Sequence, residues 1–104
     1  MGFILAYITA KDKEQALSIG GTLVEERLAA CVNVIGNMTS IYRWDGKINA
    51  DDEAVLIAKT TAAKFQPLTD RVKQLHSYSC PCIVSIPITG GSEEYLSWLS
   101  EQTG

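Results

Sequence analysis

The spacing of apolar residues along the chain predicts an alternation of strands and helices. Phe3 to Thr9 is an apolar run of strand-forming residues. A helix is predicted to open after it, because Asp12 and Gln15 have the spacing of a capping box. A long β-rich stretch from Ala29 to Trp44 and a returning strand from Glu53 to Thr60 follow. The first half of the chain is therefore predicted to form strand, helix, strand and strand.

The second half adds a helix, a strand and a terminal helix. Apolar residues recur at helical spacing in Phe65, Leu68, Val72 and Leu75. This helix is predicted to be regular from Pro67, because proline suits a first turn. The stretch from Cys80 to Ile88 alternates as a strand whose ends are restricted by Pro81 and Pro87. Ser92 is placed to cap the last helix.

The order strand, helix, strand, strand, helix, strand, plus a terminal helix, predicts the fold class. It is α+β, with the split β-α-β arrangement of ferredoxin-like folds in a single domain over residues 1–104. We expect one antiparallel sheet with both long helices on the same face.

The second strand and its partner are predicted to form a long protruding hairpin. Gly36-Asn37 reads as a bulge and Asp45-Gly46 as a tight turn, while Asn49 to Asp52 offers a second turn for part of the reversal. The stretch from Ala29 to Asp45 far exceeds the usual strand of about 5–6 residues, so two helices cannot cover it.

This ribbon carries exposed apolar side chains, namely Met38, Ile41, Tyr42, Trp44 and Ile48. An isolated apolar ribbon is marginally stable and prone to aggregate. We therefore predict a homo-oligomer in which other copies of the chain cover the ribbon. The alternative is a monomer whose ribbon folds back onto its own sheet.

Composition and charge narrow the picture. With 46% hydrophobic residues, 104 residues can bury one core. The 9 Lys and Arg against 12 Asp and Glu are scattered singly, which argues against a nucleic-acid surface. No apolar run reaches the ~20 residues of a membrane span. An odd count of three cysteines predicts free thiols in a reducing cytoplasm.

Three segments resemble one known family. They are Glu25-Glu26-Arg27-Leu28-Ala29-Ala30-Cys31-Val32-Asn33, then Ser40-Ile41-Tyr42-Arg43-Trp44-Asp45-Gly46-Lys47-Ile48, then His76-Ser77-Tyr78. Together they closely resemble the CutA divalent-cation tolerance proteins. The resemblance implies a cytoplasmic homotrimer of ferredoxin-like subunits linked to copper and other divalent cations. It also implies a trimer similar to that of the P-II signalling proteins, which bind small effectors between subunits.

The third segment departs from the family pattern. Relatives usually read His-Pro-Tyr-Glu-Val-Pro-Glu where this chain has His76-Ser77-Tyr78-Ser79-Cys80-Pro81-Cys82. Two carboxylates are lost and two thiols are gained. Thiolates favour Cu(I) or Zn(II), whereas carboxylates suit harder ions.

The candidate metal ligands are Cys31, His76, Cys80 and Cys82. Cys80 and Cys82 lie two apart, so a strand would place both thiols on the same face, with His76 just upstream. The alternatives are that all three cysteines are packing residues and that His76 has a structural role at the end of its helix.

A second candidate site is a cleft for a small anionic ligand. Its predicted residues are Arg43, Trp44, Lys59, His76 and Tyr78, which offer bidentate Arg contacts and aromatic stacking. The alternative for the charged members is salt bridging between subunits.

No nucleophile elbow, phosphate loop or zinc-protease helix occurs in the sequence, so we predict a protein that is not an enzyme and has no organic cofactor. The leading hypothesis is a trimer that binds copper or another divalent cation. Its rival is a P-II-like sensor that binds a small anionic metabolite between subunits.

Overall fold

The computed structural model describes residues 2–104, and its elements follow the predicted order. The strands are β1 (Phe3–Ala10), β2 (Cys31–Trp44), β3 (Lys47–Thr61) and β4 (Ile83–Ile88). The helices are α1 (Lys13–Glu25), α2 (Phe65–Leu75) and α3 (Glu93–Thr103), with one 3-10 turn at Ala62–Lys64. All neighbouring strands are antiparallel in the order β2-β3-β1-β4. This is the predicted ferredoxin-like α+β arrangement.

One face of the sheet forms the core with α1 and α2. Alternate residues of β1 and β3 point into it and are fully buried: Ala6, Ile8, Ala10, Ala54, Leu56 and Ala58. They pack against Ile19 and Leu23 of α1 and against Leu68 and Val72 of α2. The apolar faces that the strand and helix patterns predict therefore pack against each other in one core.

The starts of α1 and α2 show how local sequence sets a boundary. Asp12 accepts a hydrogen bond from the Gln15 backbone N–H at 2.8 Å, which confirms the predicted cap. The second helix begins at Phe65 rather than at Pro67. Pro67 is tolerated there because the first N–H groups of a helix have no intrahelical partner.

A cap also joins the end of α1 to the end of α3. Arg27 adopts φ 60°, and the Leu28 N–H bonds to the Leu23 carbonyl at 2.9 Å, which is a Schellman motif. The Arg27 guanidinium donates to the carbonyls of Glu101 and Gln102 at 3.4 and 3.1 Å. A cation there complements the negative end of the α3 dipole, so it ties α3 to the domain.

The hairpin turn and the bulge lie where the sequence predicts them. Asp45 and Gly46 have φ values of 55° and 73°. A two-residue hairpin turn that follows the twist of the sheet requires such positive φ values at both residues. The register of β2 shifts between Ile35 and Met38, so that Gly36 and Asn37 form the bulge. The ribbon that leaves the sheet beyond this bulge consists of residues 38–53.

The predicted second turn at Asn49–Asp52 is wrong, because β3 starts at Lys47 rather than at Glu53. Pairing runs unbroken from Met38–Glu53 to Trp44–Lys47. Among the residues that the structure describes, no third strand lies beside the ribbon, and neither of its faces is buried. For that reason no apolar alternation marks residues 47–52 as a strand.

The predicted start of the last strand is also wrong. Cys80 to Cys82 lie in an irregular loop, and β4 begins only at Ile83. Pro81 has no N–H to give to a strand ladder, which fits its place outside the sheet. The two thiols therefore do not project from one strand face.

The second face of the sheet is covered only in part. Its apolar side chains include Ile35, Val84 and Ile86, of which 55%, 49% and 45% is exposed. The terminal helix α3 reaches this face at one end, where Lys59 Nζ lies 5.6 Å from the centroid of the Tyr95 ring. Within residues 2–104, no helix is long and apolar enough to cross a membrane.

Two buried threonines give a matched test of core polarity. The Thr60 hydroxyl is fully buried and has no hydrogen-bond partner within residues 2–104, whereas the buried Thr103 hydroxyl donates to the Leu99 carbonyl at 3.0 Å. We expect Thr60→Val to raise the free energy of unfolding by about 1–2 kcal/mol, because it removes an unpaired buried hydroxyl. Thr103→Val should lower it by about 1 kcal/mol. Urea denaturation at one protein concentration measures both; equal losses would contradict the unpaired state of Thr60.

Candidate functional site

The principal cavity lies where the ribbon leaves the sheet and has a volume of about 520 Å³. It is bounded by the end of β1, the base of the ribbon and the loop before β4. The residues that line it are Thr9, Ser40, Tyr42, Trp44, Asp51, Glu53, Tyr78, Ser79, Cys80 and Cys82. Two carboxylates and two thiols thus face one space, and none of the lining side chains is Lys or Arg.

His76 fixes the loop that forms one wall of the cavity. Its Nε2 lies 2.7 Å from the Thr9 carbonyl, and its Nδ1 accepts a hydrogen bond from the Tyr78 backbone N–H at 3.1 Å. A carbonyl only accepts, so the ring is neutral and carries its proton on Nε2. Both ring nitrogens are therefore occupied by the backbone.

The two carboxylates of the cavity each accept a hydrogen bond from a tyrosine. The Tyr78 hydroxyl donates to Glu53 Oε2 at 2.7 Å, and the Tyr42 hydroxyl donates to Asp51. Burial, followed by the Glu53 carboxylate, raises the pKa of Tyr78 well above its usual value. The bond to Asp51 raises the pKa of Tyr42 in the same direction. The cavity therefore favours groups that keep a proton or carry positive charge.

The thiols differ in their surroundings. Both are exposed on the loop before β4, and Cys82 has Thr9 and Glu53 beside it. At Cys82, burial and then the nearby Glu53 charge raise the thiol pKa, while contacts with Thr9 oppose that rise. Cys82 is therefore a neutral thiol near neutral pH, beside a carboxylate.

Four of the predicted site residues line this cavity and four do not. Trp44, Tyr78, Cys80 and Cys82 line it. His76 stands behind the wall as an anchor. The others lie elsewhere in one chain: Arg43 projects to the opposite face of the ribbon from Trp44, Lys59 lies beside Tyr95, and Cys31 pairs with Lys59 across β2 and β3.

Neither predicted constellation is assembled by a single chain. Within residues 2–104, no three His, Cys, Asp or Glu side chains form a group that could hold a metal ion. The two cationic members of the proposed anion cleft are likewise separate from its aromatic members. Each set would need a neighbouring copy of the chain to bring its members together.

Asp51 and Glu53 are the cavity residues that sequence reasoning missed. The available signal was the acidic run Asp51-Asp52-Glu53, which the predicted turn at Asn49–Asp52 and the predicted strand start at Glu53 divide between two elements. In a continuous strand the first and third of these residues share a face. Asp51 pairs with Ser40 and Glu53 pairs with Met38, and in this register the side chains of Asp51 and Glu53 point toward the cavity.

The raised pKa of Tyr78 predicts a loss of stability at alkaline pH. An unfolded tyrosine loses its proton near pH 10, whereas folded Tyr78 must keep it. The stabilisation is therefore complete below about pH 10 and declines above that value. We expect Tyr78→Phe to be less stable at pH 8 but to show a shallower decline between pH 9 and 11 in urea denaturation.

Tyr95→Phe is the control for that experiment, since it leaves the Tyr78–Glu53 bond intact. It should keep the steep alkaline decline of the parent chain. Identical slopes for the parent and Tyr78→Phe would contradict the assignment of the decline to Tyr78.

The fold and the cavity define a class: a small ferredoxin-like protein with a long two-stranded ribbon and an acidic, thiol-bearing cavity at its base. The sequence matches the family described as CutA1 divalent ion tolerance protein over residues 4–102. The chain belongs to this family, and its resemblance to CutA proteins is confirmed over nearly its full length.

Similar proteins come from bacteria, archaea and plants. The divalent-cation tolerance protein CutA of Thermus thermophilus is 53% identical over 97 residues, which is 93% of this chain and 94% of that protein. The chloroplastic CutA of Arabidopsis thaliana is 41% identical over 100 residues, which is 96% of this chain but 55% of the plant protein. The chain therefore spans about half of that relative.

Solved structures agree with the fold. The divalent cation tolerance protein Cut A1 from Thermus thermophilus superposes with a TM-score of 0.96 at 50% identity, covering 98% of this chain and 99% of that one. The periplasmic divalent cation tolerance protein CutA from Archaeoglobus fulgidus gives 0.95 at 43% identity, with 98% and 99% covered.

Proposed function

We propose that this chain is a non-enzymatic cation-tolerance protein that acts as a homotrimer and binds copper or another divalent cation. Its relatives are named divalent-cation tolerance proteins, and its sequence contains no local catalytic motif. The observation that carries the proposal is the sign of the cavity charge. Asp51 and Glu53 face the cavity, and no Lys or Arg lines it.

The charge also decides between the two candidate ligands. An anion would be repelled by the two carboxylates, since charges a few ångströms apart in a partly enclosed site interact by roughly 4 kcal/mol. A cation would be attracted by the same amount. Trp44 and Tyr78 line the cavity and could stack on a P-II-like metabolite, but no lining side chain is a cation that would bind its negative charge.

The trimer rests on the apolar surface of the ribbon and of the partly covered sheet face. Ile41 and Ile48 are 74% and 71% exposed, and Trp44 is 60% exposed. The molecule measures 45 × 25 × 23 Å, so the ribbon protrudes rather than folding back. Copies arranged around an axis would bury these side chains, as symmetric oligomers bury matching patches.

Within one chain, the carboxylates would hold a divalent ion that keeps part of its water. Such binding through one or two carboxylates is usual for small divalent cations. Additional ligands would come from a neighbouring copy of the chain. We also propose the cytoplasm as its location, on the strength of three unpaired cysteines.

Titration calorimetry of the metal-free protein against Cu(II), Zn(II) and a nucleotide panel tests the proposal. We expect cation uptake, weakened at least tenfold in the double variant Asp51→Asn with Glu53→Gln, and no nucleotide uptake. The control is Asp52→Asn, because Asp52 points to the opposite face of the ribbon. Nucleotide binding without cation uptake would overturn the proposal in favour of the sensor, and silence in every titration would overturn both.

A further inference from the structure

Cys80 and Cys82 are two exposed thiols, one residue apart, that line the same cavity. The loop that carries them is held in place on both sides. His76 binds the Thr9 carbonyl, Tyr78 donates to Glu53, and Ile83 begins β4 directly after Cys82. The pair thus lies on a short irregular segment between fixed ends.

The irregular backbone suits joint binding better than a strand would. Residues two apart in a strand lie about 6.6 Å apart, with their side chains parallel. Two sulfurs on one ion lie at most about 4.6 Å apart, since each metal–sulfur bond is about 2.3 Å. A loop allows the side chains to converge, and Pro81 between them fixes one backbone angle and reduces the entropy lost on binding.

The donor set is limited to these two sulfurs. Both ring nitrogens of His76 are occupied by backbone groups, and Cys31 lies on β2 opposite Lys59, away from the cavity lining. A structural zinc site needs four ligands. Soft thiolates select Cu(I), which accepts two ligands.

The cavity carboxylates act in opposite ways on the ion and on the two thiols that bind it. Asp51 and Glu53 of β3 face the cavity, with the neutral hydroxyls of Tyr42 and Tyr78 beside them. These carboxylates attract the ion but oppose the formation of thiolates, and burial, followed by the Glu53 charge, raises the pKa of the Cys82 thiol. Binding must displace the two thiol protons, so the affinity must depend on pH.

We propose that Cys80 and Cys82 together bind one thiophilic monovalent ion, Cu(I), through both sulfurs. This rests on the proposed function and names the ion class that the thiols of this chain add to it. Two thiols release two protons to solvent, two copper–sulfur bonds form, and no electron is transferred. The bound unit, one Cu⁺ with two thiolates, carries a net charge of −1.

The test is an anaerobic titration of the fully reduced protein with Cu(I) against a chromogenic Cu(I) chelator. We expect one ion per chain bound through this pair and a thiolate-to-copper absorption band in the near ultraviolet. Cys80→Ser and Cys82→Ser should each weaken binding at least 100-fold. The affinity should fall by about 100-fold for each pH unit below the thiol pKa values, because two protons are released.

Cys31→Ser is the matched control and should bind Cu(I) as the parent does. Unchanged Cu(I) affinity in the Cys80→Ser, Cys82→Ser double variant would overturn the inference, as would a pH slope of one proton. That double variant keeps Asp51 and Glu53, so its uptake of Cu(II) and Zn(II) tests the proposed function separately. Loss of Cu(I) binding in Cys31→Ser alone would also overturn the assignment.

Discussion

Replacing Ile41 and Ile48 together by aspartate should leave the chain folded but dissociate the proposed trimer. Both side chains are highly exposed in one chain, at 74% and 71%, and they project from the same face of the ribbon. Burying an uncompensated carboxylate at an interface costs several kcal/mol per copy. We therefore expect sedimentation equilibrium to report a mass near the 11.3 kDa of one chain instead of about 34 kDa for three.

Leu17→Asp is the control for this experiment. Leu17 is also exposed, at 54%, but it lies on α1, on the other face of the sheet from Val84 and Ile86. Its substitution should leave the trimer intact, and far-ultraviolet circular dichroism should match for all variants. A parent chain that sediments as a single copy would contradict the trimer itself, and a double variant that stays trimeric would exclude the ribbon from the interface.

Gly20→Leu should be strongly destabilising, while Gly21→Leu should not. A Cβ at Gly20 would lie 3.0 Å from Val32 Cγ1, because α1 packs closely on β2 at this point. Added atoms there would force the helix and the strand apart, so we expect a loss of about 2 kcal/mol or more in the free energy of unfolding.

Gly21 is the neighbouring control. A Cβ there meets no atom within 4 Å, so leucine should raise stability by up to about 0.8 kcal/mol through its better helix propensity. Guanidinium denaturation at a fixed protein concentration measures both variants, since the stability of an oligomer depends on concentration. Similar values for the two leucine variants would contradict the close contact between Gly20 and Val32.

The order of elements and the family could be predicted because both depend on local sequence. Capping by Asp12, the turn at Asp45-Gly46 and the cap at Ser92 each involve residues within a few positions of one another. Apolar periodicity reports which face of an element is buried, and this was sufficient to predict α1, α2 and the core strands. It failed in residues 47–52, which the structure places in β3 but where neither face of the ribbon is buried by the described chain.

The candidate site was predicted less well, because its members meet through strand register and loop packing. Glu53 reaches Tyr78 across 25 positions, and His76 reaches Thr9 across 67. A shift of one residue in the β2–β3 register would turn Asp51 and Glu53 to the other face. No local pattern encodes that choice.

Sequence alone is therefore enough to predict the ferredoxin-like order of elements, the long hairpin and the membership of the CutA1 family, because each depends on neighbouring residues or on nearly complete sequence segments. The anchoring role of His76, the loop position of Cys80 and Cys82, and the two carboxylates that face them became known from the fold. Side-chain chemistry depends on which distant groups come within a few ångströms, and this follows from packing rather than from spacing along the chain.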